Sequence, residues 1–168
     1  MSPELEFIRR ETERATRGVP PDAWLQAPAG KWNSAQILEH LLLTYTATTK
    51  GMLRTMDAGQ PQRGKPDIKQ RLKRIYVLGI GRFPAGIDAP QHTIPRQELG
   101  SEPLRRFNDA LVAMDATLAD AEKRFGSGTR VLDHPVLGPL TAQEWRRFHQ
   151  VHGRHHLKQV ADRVNAGF

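Results

Sequence analysis

Apolar residues recur along the chain at spacings of three and four, and no run alternates apolar with polar positions in the β-branched-rich manner of a strand. The pattern therefore predicts an all-α protein. A first helix is expected over residues 2–17, with Pro3 early, Glu4 and Glu6 in the first turns, Arg14 and Arg17 at the end and Gly18 as its stop. Pro20 and Pro21 forbid continuation. A second helix opens at Asn33 or Ser34 and carries Leu38, Leu41, Leu42, Tyr45, Met52 and Met56 to Gly59. A shorter helix is expected over 67–79, and residues 84–100, rich in proline and glycine, read as one long loop of the kind that covers a site.

Ser101 is placed as the cap of a third long helix, in which Leu104, Phe107, Leu111, Met114, Leu118, Ala121 and Phe125 form one stripe before Gly126. The last helix opens on Thr141 and Glu144, a capping box, and turns Trp145, Phe148, Leu157, Val160 and Val164 inward. Four long helices make a four-helix bundle the natural architecture, with a helical and loop insertion between the second and third. With 168 residues and 38% hydrophobic content, the chain fits a single domain, 1–168.

Four of the seven histidines fall within eight positions of the last helix: His149, His152, His155 and His156. At about 100° per residue, His152 and His156 lie roughly 40° apart on one face and a turn apart, so two imidazoles can converge on one ion. His40, on a strip of small residues with Thr44, Ala47 and Gly51, is the candidate third ligand. His149 reads as a ligand, a supporting hydrogen-bond donor or a core residue, and His155 sits on the flank beside Gln159; these three are candidate supporting residues. His92 and His134 read as loop residues. Glu39 is turned about 100° from His40 and Glu144 is committed to the cap, so no carboxylate presents itself as a general base.

Zero cysteines exclude disulfides, thiolate metal sites and a protein-borne thiol nucleophile. Seven lysines and arginines against the single Asp67 over residues 63–82 concentrate the charge excess, a patch that reads first as a solvated helix face. Nucleic acid is an unlikely partner, because the run is interleaved with few aromatics and no helix-turn-helix spacing is evident. No apolar run approaches the roughly 20 residues of a membrane span, and the first 17 residues lack a signal h-region. No membrane partner and a cytoplasmic location are expected.

Residues 32–40, in which Trp32 precedes a helix bearing His40, resemble the second-helix entry of the DinB-like superfamily. His134-Pro135, Gly138, Leu140-Thr141, Glu144-Trp145, His152, His155-His156 and Gln159 resemble its last-helix signature, most closely that of an uncharacterised DinB-related branch. The resemblance implies a bundle with up-down-down-up connections and a divalent metal, zinc or nickel, on His40, His152 and His156. It further implies a metal-dependent hydrolase or a transferase using an external low-molecular-weight thiol, with a small-molecule substrate. A homodimer through exposed apolar helix faces is compatible with it. Two rivals stand beside this reading: a non-enzymatic metal- or ligand-binding bundle, and a nucleic-acid-binding protein.

Overall fold

The computed structural model describes residues 1–61, 64–84, 86, 88–96 and 103–165. Arg63, Gly100 and the expected cap Ser101 lie outside them. The chain is mostly helical. Helix α1 (Pro3–Thr16) is followed by α2 (Ser34–Ala58), α3 (Ile68–Arg74), α4 (Pro103–Phe125) and α5 (Ala142–Asn165). The expected boundaries follow local chemistry. Asn33, rather than Ser34, caps α2: its side chain accepts from the Gln36 N–H while the Gln36 side chain accepts from the Asn33 N–H. Gly59, at φ 64°, ends that helix in the left-handed region. Asp67 and Gln70 form the same reciprocal cap on α3, and Thr141 and Glu144 form it on α5. Glu144 also pairs with Arg74, which ties α3 to the start of α5.

Helix α1 lies along α5, and α2 packs against both α4 and α5. The shared core is built from Leu5 and Ile8 of α1, Leu38, Leu41, Tyr45 and Met52 of α2, Phe107, Leu111, Met114 and Leu118 of α4, and Leu157 of α5. After α3 the backbone passes into a π-helical segment, Ile75–Ile80. Ile68, Leu72, Ile75 and Ile80 are exposed there, alongside Lys69, Arg71 and Lys73. The loop expected over 84–100 contains a 3-10 turn, Gln91–Thr93, that packs against α2.

The expectation of an entirely helical chain is corrected by a small hairpin. Strand β1 (Arg130–His134) pairs antiparallel with β2 (Gly138–Thr141), with His134 opposite Gly138. Strands of five and four residues are too short to show a period of two, and one of them contains Pro139. A lone hairpin is marginal in water. This one is held from outside: the Trp145 indole donates to the Leu132 carbonyl across 3.2 Å. Leu132 also fills the space above Gly51, where a Cβ would come within 2.9 Å of it. The turn closes on Gly138 at φ 74°, where an added Cβ would stand 2.7 Å from Gln70 Oε1. Gly138→Ala should therefore cost about 1–2 kcal/mol from the left-handed backbone alone, read as a lowered midpoint in urea unfolding.

Candidate metal centre

His40 projects from the second turn of α2, and His152 and His156 project one turn apart from the middle of α5. All three are buried. Their ring nitrogens meet: His152 Nε2 lies 3.3 Å from His40 Nε2 and 3.1 Å from His156 Nε2, and the three ligand nitrogens fall within 4.8 Å of one another. Two ligands held at about 2.0–2.1 Å from one ion in a tetrahedral arrangement stand roughly 3.3 Å apart. The two separations through His152 match such a group.

Hydrogen bonds on the far sides of the rings decide what the converging nitrogens present. His40 Nδ1 is 2.8 Å from the Thr93 carbonyl oxygen, which only accepts, so Nδ1 carries the hydrogen and Nε2 a lone pair. His156 Nδ1 donates likewise to Gln159 Oε1 at 2.9 Å, and the Gln159 amide in turn donates to His155 Nε2 at 3.2 Å. Burial holds the rings neutral. It lowers the pKa of His40 despite the opposing Thr93 bond, takes His152 well down, and brings His156 to about 3, with the other cluster rings adding to the last two. Two fixed lone pairs thus face His152. A single Nε2–H on His152 satisfies at most one neighbour and strips the hydrogen from its Nδ1, which is buried without a partner. A cation between the rings accepts all three lone pairs and leaves each ring its Nδ1–H.

The surroundings are apolar. Phe148 stacks on His152 at 5.3 Å with an 11° interplanar angle, Phe83 lies 4.9 Å from the same ring, and Trp32 lies 5.1 Å from His40. On one side the cluster opens to a cavity of about 950 Å³ whose walls include Thr44 and Ala47 of α2, Tyr76 of the π segment and Pro90 of the long loop. That loop does line the site, as its length suggested.

Of the candidate supporting residues, Gln159 and His155 stand behind His156 as described. His149 does not join them: it is fully buried, stacks on Trp145, and its Nε2 meets Thr48 Oγ1 at 3.1 Å. It is a core histidine. Glu39 accepts from the Arg96 N–H and Glu144 serves its cap, so neither faces the rings. Sequence reasoning missed two participants. Thr93 acts through its backbone, which no residue pattern announces. His134, read as an isolated loop residue, ends β1 and lines the same cavity; the signal was the Pro135 and Gly138 punctuation that makes a turn immediately after it.

Residues 23–163 match the model of a family described as a protein of unknown function (DUF1569). The chain belongs to the DUF1569 family. The match begins before α2 and ends within α5, so it contains His40, His134, His152 and His156 together. Among curated proteins, this DUF1569 chain is similar to the uncharacterized protein YuaE of Bacillus subtilis (strain 168), at 27% identity over 165 residues, 92% of this chain and 91% of that protein. No solved structure gave a significant match.

Proposed function

We propose that this chain holds a divalent ion, zinc or nickel, on His40, His152 and His156 and acts as a metal-dependent hydrolase or as a transferase using an external low-molecular-weight thiol. The observation that carries the reading is the convergence of three neutral imidazole nitrogens at one end of a large cavity. We place the fold with the DinB-like four-helix bundles of up-down-down-up connection. The packing of α1 on α5 and of α2 on α4 and α5 supports that assignment, with α3 and the following loop as the insertion.

An ion on three histidines keeps open positions and supplies Lewis acidity to a water or a thiol. The chain's own residues do the rest. Thr93 and Gln159 hold the outer nitrogens of His40 and His156 so that the inner ones face the ion. Phe83 and Phe148 keep bulk water from His152, and the cavity wall orients what enters. With no cysteine in the chain, the thiol of a transfer reaction comes from solution.

Protein purified without a chelating tag should carry one divalent ion per chain by elemental analysis. Substoichiometric metal, with no rise in melting temperature on adding zinc or nickel, would overturn the reading. Gln159→Ala should weaken metal affinity roughly 10–100-fold, the usual cost of losing an outer hydrogen bond to a ligand, measured by competition with a chromophoric chelator. Among the described residues no carboxylate joins the three rings, which favours a second reading in which the ion is held and nothing turns over. A screen of esters, amides and thiol–electrophile pairs with the metal-loaded protein separates the two.

A further inference from the structure

The hairpin gives His134 a defined hydrogen-bonding state. Its Nδ1 accepts from two backbone donors, the Val136 N–H at 3.1 Å and the Leu137 N–H at 3.2 Å. A ring nitrogen facing two N–H groups holds no hydrogen of its own, so the neutral ring carries its hydrogen on Nε2. Among the described residues Nε2 has no hydrogen-bond partner, yet it is not among the buried unpaired atoms, and His134 lines the cavity. Nε2–H is therefore an open donor on the cavity wall.

The ring cannot swing away. It packs edge-on against Phe148 at 4.4 Å and against Trp145 at 5.3 Å, while its other nitrogen is anchored to the turn. Burial also brings its pKa down to about 4, so it stays a neutral donor at ordinary pH. Phe148 also stacks on His152. His134 and His152 thus contact one phenyl ring, their centroids separated by no more than the 4.4 and 5.3 Å steps laid end to end.

We propose that His134 is a substrate-binding residue whose Nε2–H donates to an oxygen acceptor, a carboxylate or carbonyl, on a ligand whose other end lies at the His40–His152–His156 cluster. This rests on the reading of that cluster as a metal site. The ligand class is a small molecule with a metal-seeking group and an acceptor oxygen several bonds apart, spanning the edge of Phe148. A fixed donor of this kind discriminates strongly between ligands with and without the matching acceptor, because a displaced water must be replaced.

The test loads the protein with Co²⁺ and titrates ω-mercaptocarboxylates from mercaptoacetate to 6-mercaptohexanoate, each against the alkanethiol of equal length, reading the thiolate-to-cobalt absorption. The best acid should bind at least tenfold tighter than its alkanethiol. His134→Asn keeps an oxygen that can accept from the hairpin N–H groups, as in an Asx turn, but its amide nitrogen stands where the ring has Cδ2, one atom short of the Nε2 donor. It should remove the preference for the acid and leave alkanethiol binding unchanged. Equal affinities in the parent protein, or a preference that survives in His134→Asn, overturns the proposal. Absence of cobalt uptake would instead sink the metal reading. In that event ¹⁵N NMR of the metal-free protein decides: an Nε2–H tautomer at His134 whose signal moves on adding hexanoate supports the site, and an Nδ1–H tautomer or an unmoved signal rejects it.

Discussion

Metal-free His152→Leu should be more stable than the metal-free parent, and should take up no metal. His152 sits between Phe83 and Phe148 with Nδ1 buried and unbonded, and its Nε2 faces lone pairs on both sides. Leaving a buried polar atom unsatisfied costs about 1–3 kcal/mol, and a leucine in the same space removes that cost at Nδ1, while the Nε2 atoms of His40 and His156 that lose their neighbour belong to residues lining the cavity. An ion gives Nδ1 no partner, but it binds the native state alone and so adds stability to the parent with the logarithm of its excess over the dissociation constant. Urea unfolding with a chelator present should rank the variant above the parent, and excess zinc should reverse the order. If the variant is the less stable of the two without metal, the ring is bonded in a way the geometry above does not contain.

Acid should unfold the metal-free protein at an unusually mild pH. Five imidazoles, those of His40, His134, His149, His152 and His156, are held neutral by burial, with pKa values lowered from the ordinary 6.5 to about 4 for His134 and about 3 for His149 and His156. In the unfolded chain the same rings protonate near 6.5. Below that pH the unfolded state binds more protons than the native one, so stability falls as pH falls. Each ring contributes about 1.4 kcal/mol per pH unit below 6.5, until its native pKa is reached. Against a total stability of about 5–15 kcal/mol, His134, His149 and His156 together remove about 4 kcal/mol per pH unit between 6.5 and 4, and His40 and His152 act in the same direction. Circular dichroism at 222 nm across pH 8 to 3 reads the acid midpoint. Saturating zinc should move the midpoint to lower pH, since metal and protons compete for His40, His152 and His156. His149→Phe, which takes one such ring out of the core, should also shift it downward.

Much of the fold was legible because it is written in local chemistry. Asn33 with Gln36, Asp67 with Gln70 and Thr141 with Glu144 mark helix starts wherever they occur, and Gly59 marks an end. The apolar stripe from Leu38 to Met52 needed only a period of 3.6 to be assigned to a core. The hairpin escaped because its few residues owe their conformation to partners far along the chain, Trp145 and Gly51 among them. The three histidines were found for a related reason: two share a helix face, and the third lies on a strip of small residues. What the outer nitrogen of His40 touches depended on the path of a long loop, and loop paths leave little trace in composition. His134 was misread for want of its turn, which supplies the two N–H groups that give the ring its role.

The grip on His40 by a main-chain oxygen has a consequence for how the protein tolerates change. Every amino acid brings a carbonyl, so the atom that steers the imidazole survives exchange of residue 93, while the buried Thr93 hydroxyl, donating to the Pro90 carbonyl at 2.9 Å, helps the 3-10 turn keep its course. A one-residue insertion nearby, silent in most surface connections, would displace the oxygen and free the ring to take its other tautomer. Spacing, more than spelling, is what this stretch has to preserve.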